Sequence, residues 1–126
     1  MPTSERPAPP VPPTRRPSWW GSVRVVVRDE SMRPTLRPGD RLWVDRRAYR
    51  GQPPRFGDLV VLRDPEAPAR WLVKRIAAVG PDGRLTVASD DPSVGRDSRT
   101  FGPVTIDAVV GRVYRRYFPA ERRGEL

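Results

Sequence analysis

Apolar positions in this chain come in short, β-branched runs divided by polar segments rich in Pro and Gly. The runs cover residues 23–27, 42–44, 59–62, 71–79, 85–87 and 109–114. No apolar period of 3.6 residues lasts beyond two turns, so the pattern predicts strands and not helices. Turn signals separate the runs: Arg37-Pro38-Gly39-Asp40, residues 51–57, Asp64-Pro65, Pro81-Asp82-Gly83 and residues 90–102. Pro81-Asp82-Gly83 lies between two apolar runs and reads as a hairpin turn. Six or seven short strands at this spacing predict an all-β domain, a small barrel or a folded-over sheet. One short helix is expected over residues 32–36, although Pro34 biases Arg33 towards an extended backbone.

Outside these runs the chain changes character. Seven of the first 17 residues are Pro with almost nothing to bury, so residues 1–18 read as a disordered or polyproline-like tail. Trp19-Trp20 marks the expected start of order. The domain then spans 19–118, and 119–126 reads as a flexible C-terminus. The longest purely apolar runs, 59–62 and 76–79, hold four residues each, far below the roughly 20 that a membrane-crossing helix needs. Residues 1–18 also lack the apolar centre of a signal peptide. The expected setting is therefore cytoplasmic and soluble, or peripheral to a membrane.

Composition narrows the chemistry. With no His and no Cys, His-based Ser and Cys triads, His- or thiolate-bound zinc and disulfides are excluded, and no metal or other cofactor is implied. A net charge of +9 invites nucleic acid as a partner. The basic residues are scattered, however, and 23 of the 24 are Arg, which reads as compositional bias and speaks against nucleic-acid binding as the main function. The one lysine is Lys74. General acid–base chemistry would have to use carboxylates, three Tyr, the terminal amine or this residue.

Lys74 sits in the run Trp71-Leu72-Val73-Lys74-Arg75-Ile76. Alternation along a strand places Leu72, Lys74 and Ile76 on one face and Arg75 on the other. An ammonium held between two aliphatic side chains is desolvated, which lowers its pKa and allows a neutral amine to act as a base. The plainer alternative is a lysine whose stem lies along the sheet and whose head reaches water. Ser31 follows the first strand and precedes a Pro-containing turn, where a hydroxyl can be exposed on a rigid support, though a lone serine there is usually a turn residue. Residues 90–103 form a polar loop long enough to be functional or disordered.

Taken together and in order, Ser31-Met32-Arg33-Pro34-Thr35, the Lys74-Arg75 strand and the Asp97-Ser98-Arg99 box resemble the type I signal peptidase family of Ser/Lys endopeptidases. The resemblance spans about residues 23–118. It implies an all-β catalytic fold, Ser31 as nucleophile and Lys74 as its general base, with the Ser31 backbone N–H and the neighbouring Met32 and Pro34 supporting the oxyanion and substrate. It also implies a preprotein or propeptide substrate with small residues near the cleavage site. Familiar members carry a membrane helix before the serine. This chain is closer in outline to short soluble members, including those resembling nickel-type superoxide dismutase maturation proteases.

Three positions depart from the family pattern. Two residues before the nucleophile stands Asp29, where Gly or Ser is usual, so Asp29 is expected to point outward or a second oxyanion donor to come from elsewhere. The acidic box begins Ser89-Asp90-Asp91 in place of Gly-Asp-Asn. Gly95 replaces a Ser that often orients the lysine, which leaves Ser93 or Ser98 as candidates, while Asp97 and Arg99 are expected to hold the loop by an ion pair. Two other readings stay open: a small basic β-barrel that binds nucleic acid, and an inactive relative of the protease. An autocleaving repressor-type protease shares the Ser/Lys pair, but the short Pro-rich tail cannot be its DNA-binding domain.

Overall fold

The computed structural model describes residues 15–126; residues 1–14 of the predicted tail lie outside the described residues. The six apolar runs become β1 (Ser22–Val26), β2 (Arg41–Asp45), β3 (Leu59–Asp64), β4 (Ala67–Val79), β5 (Leu85–Ala88) and β6 (Val109–Phe118), and a short β7 (Gly124–Glu125) follows. All join one antiparallel sheet in the order β1-β2-β6-β3-β4-β5, with β7 beside β6. The all-β class expected from the sequence is the class observed. The long β6 acts as a hinge between halves: β2 lines one side of it, while β3 takes its beginning and β7 its end on the other.

The sheet buries apolar residues on both faces. Leu59 and Val61 of β3 enter one cluster with Val27, Met32, Leu36, Leu42, Val44, Val110 and Val113. Val60 and Leu62 enter a second with Ile76, Leu85, Val87 and Val104. Successive side chains of a strand point to opposite faces, so a continuous apolar run is what a strand buried on both sides requires. Gly83 in the β4–β5 turn has φ +82°, which glycine adopts at little cost and which closes the hairpin predicted there.

The helix expected over residues 32–36 does not form. The segment is a compact turn in which Leu36 N–H donates to the Met32 carbonyl at 2.9 Å. Pro34 has no N–H to continue a helical ladder, and Met32 and Leu36 are instead buried in the first cluster. The only α-helical turn among the described residues, α1 (Ser98–Phe101), lies within the long polar loop.

Both ends of the described segment are tied to the sheet. Arg15 forms two hydrogen bonds to Asp58 at 2.8 and 2.6 Å, and Ser18 N–H donates to Asp45. Residues 119–126, expected as a flexible end, instead fold back as a 3-10 turn and β7. Arg122 pairs with buried Asp40, and Leu126 packs on the first cluster. The physical reason is that Asp40, once buried, needs cations, which the end of the chain supplies. Among the described residues no helix is long and apolar enough to cross a membrane.

Candidate active site

The first strand and the turn after it place Ser31. Val27 N–H donates to the Asp40 carbonyl and Gly39 N–H to the Val27 carbonyl, so the segment between them leaves and rejoins the sheet as a closed loop. Asp91 N–H donates to the Ser31 carbonyl at 2.9 Å, Asp90 N–H to the Met32 sulfur at 3.4 Å, and Thr35 Oγ1 to Asp90 at 2.8 Å. The serine turn and the start of the acidic loop are thus one clamped unit. Pro34 is exposed on its outer side.

The strand β4 places Lys74. Its cross-strand neighbour is Val60, and Leu72 and Ile76 on the same face belong to the second apolar cluster. Lys74 is therefore sealed among aliphatic side chains, with 1 % of its surface exposed, as is Ser31. Its Nζ donates to Ser31 Oγ at 3.0 Å and to Ser89 Oγ at 3.0 Å. Arg75, on the opposite face, makes paired hydrogen bonds to Asp90 at 2.8 and 2.7 Å and a third to the Gly57 carbonyl. One strand so holds the amine with one residue and the loop over it with the next.

Burial pushes the Lys74 ammonium below its ordinary pKa of 10.5. The carboxylates of Asp29 and Asp97 oppose this by favouring the charge, while Arg96 and Arg99 act with burial. Asp97 is the centre of the loop: it accepts from Ser89 N–H and from the Arg99 N–H and guanidinium, and it caps α1. Burial alone would raise its carboxyl, but these donors bring it down to about 2. On the far side of the dyad, buried Asp64 pairs with Arg96, which also reaches Glu66 at 3.0 Å.

The orientation of Lys74 differs from the expectation. Ser93 bonds only to Asp91, and the Ser98 hydroxyl accepts from Val87 N–H, so neither reaches the amine. Ser93 is exposed at the loop tip, and Ser98 is committed to the helix start. The hydroxyl on Lys74 belongs to Ser89, one residue beyond the Arg75–Ala88 pair of the β4–β5 ladder. Gly95 lies against the dyad: a Cβ added there would stand 3.0 Å from Ser31 Cβ and 3.3 Å from Lys74 Nζ, at φ +78°. The sequence signal for Ser89 was its replacement of the usual Gly, the complement of the Ser lost at 95.

Asp29 does not point outward. Its Oδ1 accepts from Ser31 N–H at 2.9 Å and from Ser31 Oγ at 2.7 Å. A carboxylate two residues before a buried serine finds two donors within reach of one turn, and this local pairing turns it inward. Beyond Asp29 runs a groove of about 410 Å³ between β1 and the outer part of β4, lined by Val25, Val27, Met32, Arg70, Trp71 and Val73 among others. Chemically the cluster offers a buried hydroxyl and a desolvated amine against it, with a groove of mixed apolar and charged lining that reaches Asp29 and Met32 on either side of Ser31 in the chain.

Comparison with known proteins gives the family of the chain. The family model described as signal peptidase, peptidase S26, matches residues 19–83. Subunit 1b of the mitochondrial ATP-independent inner membrane protease of Arabidopsis thaliana is 36% identical over 118 residues, covering 76% of this chain and 70% of that protein. A probable signal peptidase I-1 of Synechocystis sp. is 26% identical, covering 79% of this chain and 73% of the relative. Subunit 2 of the mitochondrial inner membrane protease of Schizosaccharomyces pombe is 30% identical, covering 80% and 67%.

Proposed function

This chain belongs to the signal peptidase family, peptidase S26, whose members are serine endopeptidases that process preproteins, and we propose that its own reaction is carried by a Ser31–Lys74 dyad. Neutral Lys74 takes the proton of the Ser31 hydroxyl as Oγ attacks the scissile carbonyl. The tetrahedral oxyanion is received by the Ser31 backbone N–H. As the C–N bond breaks, the Lys74 ammonium gives its proton to the leaving amine and an ester joins the substrate to Ser31. A water, deprotonated by the same amine, attacks the ester, and the proton returns through Lys74 to Oγ.

The observation that carries the reading is the 3.0 Å approach of Lys74 Nζ to Ser31 Oγ, with both groups removed from water. Burial supplies what the mechanism needs, a push of the amine's pKa below 10.5 that favours its neutral form. Ser89 holds the amine on its other side, and Asp97 with Arg99 fixes Ser89 through its N–H. Met32 shapes the wall next to the nucleophile, whereas Pro34 faces outward from the turn. We assign as substrate a leader or propeptide with small residues near the cleaved bond, running along the groove between β1 and β4.

The test is cleavage of a peptide with Ala at the first and third positions before the scissile bond. Ser31→Ala and Lys74→Met each abolish turnover while the circular dichroism of the fold is kept. The wild-type rate rises with pH to a midpoint well below 10.5. Wild-type turnover in Lys74→Met would overturn the reading.

A further inference from the structure

The nucleophile is held by a carboxylate two residues before it. Ser31 has 1 % of its surface exposed, whereas Asp29 lies at the surface and lines the groove. Ser31 has two hydrogen-bond donors, N–H and Oγ–H, and Asp29 Oδ1 accepts both. A hydroxyl carries one proton. While that proton points at Asp29, Lys74 meets Oγ only as a donor to its lone pair and cannot remove it.

The location of Oδ1 is informative in itself. In a tetrahedral intermediate the oxyanion and Ser31 Oγ are bonded to the same carbon, so the oxyanion must lie close to Oγ and within reach of the Ser31 N–H. A negatively charged oxygen already meets both conditions, at 2.7 and 2.9 Å. Such an occupant competes with the transition state for its donor and repels it if it stays nearby.

We infer that Asp29 is a built-in occupant of the oxyanion position, and that a peptide entering the groove must displace its carboxylate before Ser31 can react. The inference rests on Ser31 and Lys74 being the reacting pair. Displacement does three things at once: it exposes Oγ, frees the N–H for the oxyanion and lets the hydroxyl proton turn to Nζ. Arg28 and Arg70 line the same groove, so the carboxylate leaves Ser31 for a channel that already holds guanidinium groups. The gate also acts on the base. Asp29 and Asp97 are the carboxylates that favour the Lys74 ammonium, with Arg96 and Arg99 opposing them. Moving Asp29 away therefore releases the nucleophile and favours the neutral amine in a single step.

The experiment compares wild type with Asp29→Ser, Asp29→Gly and the isosteric Asp29→Asn, with Ser31→Ala and Lys74→Met as controls. Two readouts are taken: cleavage of the Ala-containing peptide across pH, and the rate at which a small fluorophosphonate labels Ser31, followed by intact mass. The expected result is about tenfold or faster labelling in Asp29→Ser and Asp29→Gly, the scale of one lost hydrogen bond to a charged group. Their cleavage is faster too, and its acid limb lies at lower pH than in wild type; Asp29→Asn falls between. Labelling in Asp29→Ser and Asp29→Gly no faster than in wild type, including none in any of them, overturns the gate. A failure of the dyad reading shows separately, as Lys74→Met that cleaves or labels like wild type.

Discussion

At the scale of single residues, two substitutions in one short loop account for the geometry at Lys74. The hydroxyl that orients the amine stands at Ser89, and the position facing the dyad, Gly95, has no side chain and no room for one. Because Ser89 Oγ accepts from Nζ, it favours the ammonium as well as aiming it. Ser89→Ala should lower kcat about tenfold or more with little change in KM, since an unheld amine is a poorly placed base. The acid limb of its pH profile should move to lower pH, and Ser89→Thr, which keeps the hydroxyl, should restore both. A loss of rate without movement of the limb would make Ser89 merely structural. Much of this site was legible as residue types, since Ser31 and Lys74 stand out by motif and by the absence of any other lysine. The partners were not: the hydrogen bond from Lys74 to Ser89 joins positions 15 residues apart, and the inward turn of Asp29 follows from the burial of Ser31.

At the scale of elements, periodicity located strands wherever a face was buried. Runs such as 59–62 and 109–114 were read directly because β3 and the first part of β6 enter the core. Residues 67–70 of β4 are exposed, and β7 is held by backbone pairing to β6, so neither left an apolar signature. The end of the chain is nonetheless part of the structure. Asp40 is 2 % exposed and receives Arg116 and Arg122, and Arg122 also donates to the Thr35 carbonyl beside the serine turn. Deleting residues 119–126 removes one of those cations and the packing of Leu126. It should cost about 2 kcal/mol, read as a lower urea midpoint, because a buried carboxylate loses a charged hydrogen bond. An unchanged midpoint would show that Arg116 alone suffices.

At the scale of the whole molecule, part of the positive charge is taken up by ion pairs within the chain. Eight arginines pair with carboxylates among the described residues: Arg15, Arg33, Arg75, Arg84, Arg96, Arg99, Arg116 and Arg122. Several of these pairs close the loops around Ser31 and Lys74, which is a structural use of charge. The dyad itself is a cost to the fold. A lysine whose folded pKa lies below its unfolded value destabilises the protein most at pH below the folded pKa. That penalty fades as pH rises towards 10.5. Lys74→Met should therefore raise stability by about 1 kcal/mol near neutral pH, a typical gain when a functional strain is removed. The gain should shrink in alkaline buffer; a variant less stable than wild type at pH 7 would contradict it.

The burial of the one lysine, in a chain without His or Cys, has a consequence for measurement. Ordinary carboxylates finish ionising below about pH 5.5, and arginines hold their protons past pH 12. Tyr49, buried against Asp58, is pushed above the normal phenol range. Apart from an α-amine, no group whose ordinary pKa lies near 7 is present, and burial moves the Lys74 ammonium downward from 10.5. Calorimetry of a slow substrate or inhibitor in buffers of different ionisation enthalpy can count protons taken up or released at the dyad itself. In most hydrolases that signal is lost among surface histidines; here there are none to obscure it.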